Sequence, residues 1–151
     1  MFKLVERDHS LATASTRLKS GGQKDVLVYA EAIPHKAQRY ETVGDWQLLP
    51  GGIHVSVSDT HSKLSNQLVA LHEIVEAILC EAKGVSQEDV DRFDMAYERA
   101  RKDGDTSEPG DHPGAPYHEQ HVVADLVERL VAFHAGVSWF EHEQRVSELG
   151  R

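Results

Sequence analysis

Residues 53–58, Ile-His-Val-Ser-Val-Ser, and residues 64–84, LSNQLVALHEIVEAILCEAKG, decide how this chain folds. The first stretch alternates Ile53, Val55 and Val57 with His54, Ser56 and Ser58, the period of a strand with one buried face. In the second the period changes to 3.6: Leu64, Leu68, Leu71, Val75, Ile78, Leu79 and Ala82 fall on one stripe at about 100° per residue. A helix of about twenty residues is therefore expected, from a cap among Asp59, Thr60 and Ser62 to a stop at Gly84.

Upstream, Trp46-Gln47-Leu48-Leu49 and the turn Pro50-Gly51-Gly52 make a hairpin with Ile53–Ser58. Asp25–Ala30 reads as a further strand ending before Pro34. Downstream, Ser86-Gln87-Glu88-Asp89 is an approximate capping box opening a second helix, with Val90, Phe93 and Tyr97 at spacings of three and four before Gly104. Residues 104–116, GDTSEPGDHPGAP, read as a loop. A third helix follows from Tyr117 to His134, apolar at Val122, Val123, Leu126, Leu130 and Phe133, and a short fourth starts near Ser138. The expected class is α+β, a small antiparallel sheet followed by three to four helices, in one domain over residues 25–151. Residues 1–24 are polar, end in Ser20-Gly21-Gly22, and read as a loosely packed arm.

Composition narrows the function. The chain has 151 residues and 16 basic against 25 acidic side chains, a net charge of -9, which argues against tracking nucleic-acid phosphates. His72, Glu73 and Glu76 interrupt the longest apolar stretch, so no run reaches the roughly 18 uncharged residues of a membrane span. Charges at Lys3, Glu6, Arg7 and Asp8 occupy the place of a signal peptide's apolar segment, and the lone Cys80 has no internal disulfide partner, so a cytoplasmic location is expected. Ten histidines draw attention to metal chemistry, because imidazole is the commonest protein metal ligand.

The chemistry centres on Leu71-His72-Glu73-Ile74-Val75-Glu76. His72 and Glu76 stand one helical turn apart and can grip one ion, while Glu73 points about 100° away. The pattern is a variant of H-E-x-x-H with Glu in the last position, and carboxylate oxygen is an acceptable zinc ligand. Glu76 also lies between Val69 and Cys80 on the wheel, where an ionised carboxylate needs a cation, a hydrogen-bonded partner or a proton. A catalytic zinc site usually takes three protein donors, so a third is sought at the start of the third helix. His121 is preferred because it shares a face with Asp125 and Glu128 opposite the apolar stripe. His118 and Glu119 remain candidates, and His112 is a weaker one.

Strand 53–58 followed at once by this helix resembles the core of minimal zincin-like metallopeptidases over residues 45–84. The segments HEIVEAILC, SQEDVDRFD and EPGDHPGAPYHEQH resemble a group of small uncharacterised bacteriophage and prophage proteins, which would place the chain in a host cytoplasm. The zincin resemblance implies His72 and Glu76 as zinc ligands, Glu73 as general base, and hydrolysis of a peptide or amide bond. Two other functions fit the same residues. One is a non-catalytic phage accessory or inhibitor protein with a structural His/Glu cluster. The other is a helical nucleotide hydrolase holding Mg²⁺ through Glu73, Glu76, Asp125 and Glu128.

Other positions have two readings each. Tyr117 is an oxyanion donor or a packing residue, and Cys80 a soft ligand or a small core residue. Asp91 and Asp94 are a carboxylate cluster or the polar side of their helix. His9, His35, His54 and His61 are scattered and read as unligated. His142 belongs to a charged terminal helix that Trp139-Phe140 packs down. The loop 104–116 is expected to cover the site.

Overall fold

A computed structural model describes residues 27–149; the arm expected over residues 1–24 lies outside them. Three strands, β1 (Leu27–Ile33), β2 (Gly44–Leu49) and β3 (Gly52–Ser58), precede four helices, α1 (Lys63–Lys83), α2 (Gln87–Ala100), α3 (His118–His134) and α4 (Trp139–Leu149). The α+β class holds, with the sheet in the first half and helices in the second. No helix among the described residues is long and apolar enough to cross a membrane.

The sheet is mixed where an antiparallel one was expected. β2 and β3 form the hairpin, Trp46 opposite Val55, with Gly51 at φ 85° in its turn. β1 lies on the other side of β3 and runs parallel to it, Ala30 opposite Val55. Pro34 ends β1, and the connection over residues 34–43, which contains a single 3-10 turn at His35–Ala37, is long enough to carry the chain past β3 before the hairpin starts. Two reversals then leave β1 and β3 pointing the same way. A two-residue link would have forced an antiparallel neighbour.

Alternation in β3 works as expected. Ile53, Val55 and Val57 are buried and pack with Trp46, Val69, Ala77, Cys80, Val90, Ala115 and Tyr117 into the core. Removing a side chain such as Val55 or Val57 from water is worth about 1.5–3 kcal/mol. α1 begins where Ser62 accepts a hydrogen bond from the Ser65 amide and ends at Gly84, whose φ of 72° an L side chain disfavours. Its buried residues include Leu68, Val69, His72, Glu76, Ala77 and Cys80, whereas Leu64 and Ile78 of the expected stripe are exposed. The inner face of α1 thus carries the His/Glu pair into the interior.

α3 inverts the usual amphipathic arrangement. Its stripe of Val122, Val123, Leu126, Leu130 and Phe133 faces solvent, Phe133 at 77% exposure, while Gln120, His121, Ala124, Glu128 and Ala132 are buried. Two alanines on the inner face let α3 lie close against α1. Buried ionisable side chains are tolerated only with partners, and those of α3 find theirs on α1. Two more expectations change. The loop 104–116 contains a 3-10 turn at Pro109–Asp111, and Phe140 is 74% exposed, so Trp139 alone of that pair packs inward.

Candidate metal centre

Three donor atoms from two helices converge between α1 and α3. His72 Nε2 lies 3.1 Å from His121 Nδ1, His121 Nδ1 lies 3.1 Å from Glu76 Oε2, and His72 Nε2 lies 3.6 Å from Glu76 Oε2. Ligands bound to a tetrahedral ion at about 2.0–2.1 Å stand about 3.3–3.4 Å from one another. The triangle therefore has the dimensions of one face of a zinc coordination tetrahedron. All three side chains are buried, and this is the one group of His, Cys, Asp or Glu found among the described residues that could hold a metal ion.

Each donor is held by a second contact that leaves the inward atom free. The Nδ1 of His72 bonds Glu128 Oε2 at 3.0 Å; with its proton there, Nε2 keeps a lone pair for an ion. Trp46 Nε1 on β2 donates to Glu76 Oε1 at 2.9 Å, leaving Oε2 to the centre. The Nε2 of His121 faces Glu108 at 3.4 Å and Asp111 at 3.7 Å. His142, buried on α4, bonds the other oxygen of Glu128 at 2.8 Å. Gly110 makes room for His121, because a Cβ there would fall 2.3 Å from the ring.

Without an ion this is a charged cluster. Burial alone would depress the His72 pKa, but hydrogen bonds to Glu128 and Glu76 outweigh it and hold the imidazole well above its ordinary value. Burial opposes ionisation of Glu76 too, yet hydrogen bonds with His121 and His72 bring it down to about 2. Glu128 is likewise down to about 2, desolvation being overcome by His142 and His72. The donor set, two imidazoles and a carboxylate, is neutral-plus-anionic and suits Zn²⁺ or a similar transition metal better than an oxygen-only site would.

Glu73 stands beside this group. Its Oε1 occupies the space a Cβ on Gly44 would need, 2.2 Å away. Desolvation first and the Glu76 charge second raise its pKa well above the usual carboxyl range. Glu73 and the three donors line one cleft of about 640 Å³, bounded by Gly44–Trp46 of β2, by Glu108–Asp111 of the expected covering loop, and by α3 and α4. On the same wall Tyr117 donates to Asp94 at 2.5 Å, with Tyr40 at 3.2 Å from its other oxygen; desolvation raises Asp94 to about 7.

Of the positions singled out in the sequence, His72, Glu76 and His121 come together. The Nδ1 of His118 bonds the Gly110 carbonyl at 2.8 Å and so ties down the loop that seats His121. Glu119 faces solvent, and His112 is exposed with its Nδ1 on the Gly114 amide. Cys80 is a fully buried core residue. Asp91 pairs with Arg39, which also grips Asp45 through two bonds of 2.7 Å. Trp46, His142 and Glu108 were missed. Glu128 alone left a trace, seven residues from His121 on one helix face; no local pattern points to the others. Comparison with family models, curated proteins and solved structures returns no match.

Proposed function

We propose that this chain is a zinc-dependent hydrolase of the zincin type that cleaves a peptide or amide bond. The observation that carries the reading is the triangle of His72 Nε2, Glu76 Oε2 and His121 Nδ1, sized for one ion and lining an open cleft with Glu73 beside it. A structural zinc usually takes four protein donors, whereas a catalytic one takes three and leaves a position open. His72, Glu76 and His121 would hold the zinc ion, which would supply Lewis acidity to polarise a carbonyl and to acidify water.

The chain's own residues supply the rest. Glu128 and Trp46 fix the orientation of His72 and Glu76, so that the donors do not reorganise during turnover. Glu73 takes the proton of the attacking water and returns it to the leaving nitrogen. Burial and the neighbouring Glu76 charge raise its pKa above the usual carboxyl range, the direction that favours holding the proton between the two transfers. The Tyr117 hydroxyl spends its one proton on Asp94, so it braces the wall of the same cleft and has none left for a developing oxyanion.

Elemental analysis of protein purified without added metal, joined to a screen of quenched fluorogenic peptides, tests this. About one zinc per chain is expected in the wild type, none in His72→Ala, and an undiminished content in Glu73→Gln, which has lost cleavage. Loss of the metal in Glu73→Gln would make that residue a ligand and overturn the roles.

A further inference from the structure

The cleft's charge is far more one-sided than that of the chain. Between residues 27 and 149, twelve of the 22 Asp and Glu line the cleft, against two of the ten Lys and Arg. Both arginines are already committed. Arg101 holds Glu98 through two bonds and also donates to the Asp105 and Ser107 carbonyls. Arg129 is bound by Asp125 and lies over the Trp139 ring at 4.6 Å. No lining lysine or arginine is left to receive an anion.

Several lining carboxylates, by contrast, have partners too weak to neutralise them. Glu108 and Asp111 flank the His121 edge of the metal centre with more than half of each side chain exposed, and they stand 3.4 and 3.7 Å from His121 Nε2. Glu41, 62% exposed in the connection between β1 and β2, also lines the cleft and pairs with the His35 ring at 2.9 Å. One divalent ion at the centre offsets two charges of this set. Clefts lined by one sign of charge focus the field and concentrate ligands of the other sign.

We infer that the substrate of this site is a cationic polypeptide segment, with lysine or arginine side chains beside the bond that is cut, received by Glu108 and Asp111 next to His121 and by Glu41 elsewhere along the cleft. The inference rests on the hydrolase reading and deepens it. An acidic peptide or a nucleoside triphosphate would enter against the field with no lining lysine or arginine free to hold it.

Zinc-loaded Glu73→Gln protein separates binding from cleavage. Its affinity for two fluorescein-labelled dodecapeptides of the same apolar frame, one carrying four lysines and the other four glutamates, is read by anisotropy at low and physiological salt. The lysine peptide should bind at least tenfold tighter at low salt and lose much of that advantage as salt screens the cleft. The double variant Glu108→Gln/Asp111→Asn should weaken the lysine peptide severalfold, and in an otherwise wild-type background it should raise KM for its cleavage more than it lowers kcat. Equal or tighter binding of the glutamate peptide or of ATP, or preference unaltered by salt and by the double variant, overturns the inference. Cleavage by the wild type without charge preference leaves the hydrolase and sinks the cationic substrate. Salt-sensitive binding of the lysine peptide that the wild type never cuts does the reverse.

Discussion

The carboxylate of Glu128 on α3 bonds the Nδ1 of His72 on α1 at 3.0 Å, across 56 residues of sequence. That contact selects the imidazole tautomer whose Nε2 faces Glu76 and His121. Its second oxygen is held by His142 of α4, so three helices meet at one carboxyl group. Glu128→Gln keeps the shape and removes the charge. Zinc affinity, measured by competition with a chromophoric chelator, should fall about 10–100-fold, with the far-UV circular dichroism unchanged. Unaltered affinity would mean that Glu128 has no part in holding the ligand.

Zinc binding should release protons. His72 is held charged in the metal-free cluster by Glu128 and Glu76, and it must be neutral to donate to an ion. Affinity should therefore fall as the pH is lowered. Calorimetric titrations in two buffers of different ionisation enthalpy, near pH 7, should give heats that differ by a net proton release.

Stability of the metal-free protein should peak in mildly acid solution. Glu76 and Glu128 are lowered to about 2 in the fold, so their contribution is present above their unfolded pKa near 4.5 and is lost as pH falls toward 2. His72 is raised, so its contribution is complete below its unfolded value near 6.5 and disappears as pH climbs through the folded one. Asp94, raised to about 7, contributes fully below its unfolded value near 3.8 and loses that contribution as pH rises from there toward 7. Denaturant midpoints in the presence of chelator should be highest between about pH 4.5 and 6.5. A maximum above pH 8 would contradict the charge states assigned here.

Two glycines separate metal from catalysis. In Gly110→Ala the new Cβ would sit 2.3 Å from the His121 ring, and the ring cannot retreat without leaving the centre. Zinc affinity should drop at least tenfold and stability by about 1–3 kcal/mol. In Gly44→Ala the clash is with the end of the Glu73 side chain, which can swing aside. That variant should keep its zinc and lose most of its peptide cleavage, as atomic absorption and turnover assays would report.

The inverted face of α3 makes a prediction about stability alone. Leu126 is 61% exposed and Ala124 is fully buried against α1. Leu126→Ser should change the unfolding free energy by less than about 0.5 kcal/mol, whereas Ala124→Leu should cost about 1–3 kcal/mol through overpacking. The opposite order would show that the apolar stripe faces the interior.

Local patterns determined a good deal by themselves. Alternation in Ile53–Ser58 located β3, the cap at Ser62 and the stop at Gly84 bounded α1, and the one-turn spacing of His72 and Glu76 marked the pair, because each depends on a few neighbouring residues and a fixed backbone period. Tertiary structure alone decided the rest. The parallel pairing of β1 follows from how a ten-residue connection crosses the sheet; the helical wheel already favoured His121 over His118 and Glu119, and the packing of α3 on α1 is what brings its Nδ1 to the pair. α3 turns its polar face inward because its buried donors have partners waiting on α1, and a hydrophobicity pattern carries no information about where a partner 49 or 56 residues away will stand. Trp46, Glu108 and His142 entered the site for the same reason: hydrogen bonds between distant elements obey no sequence period.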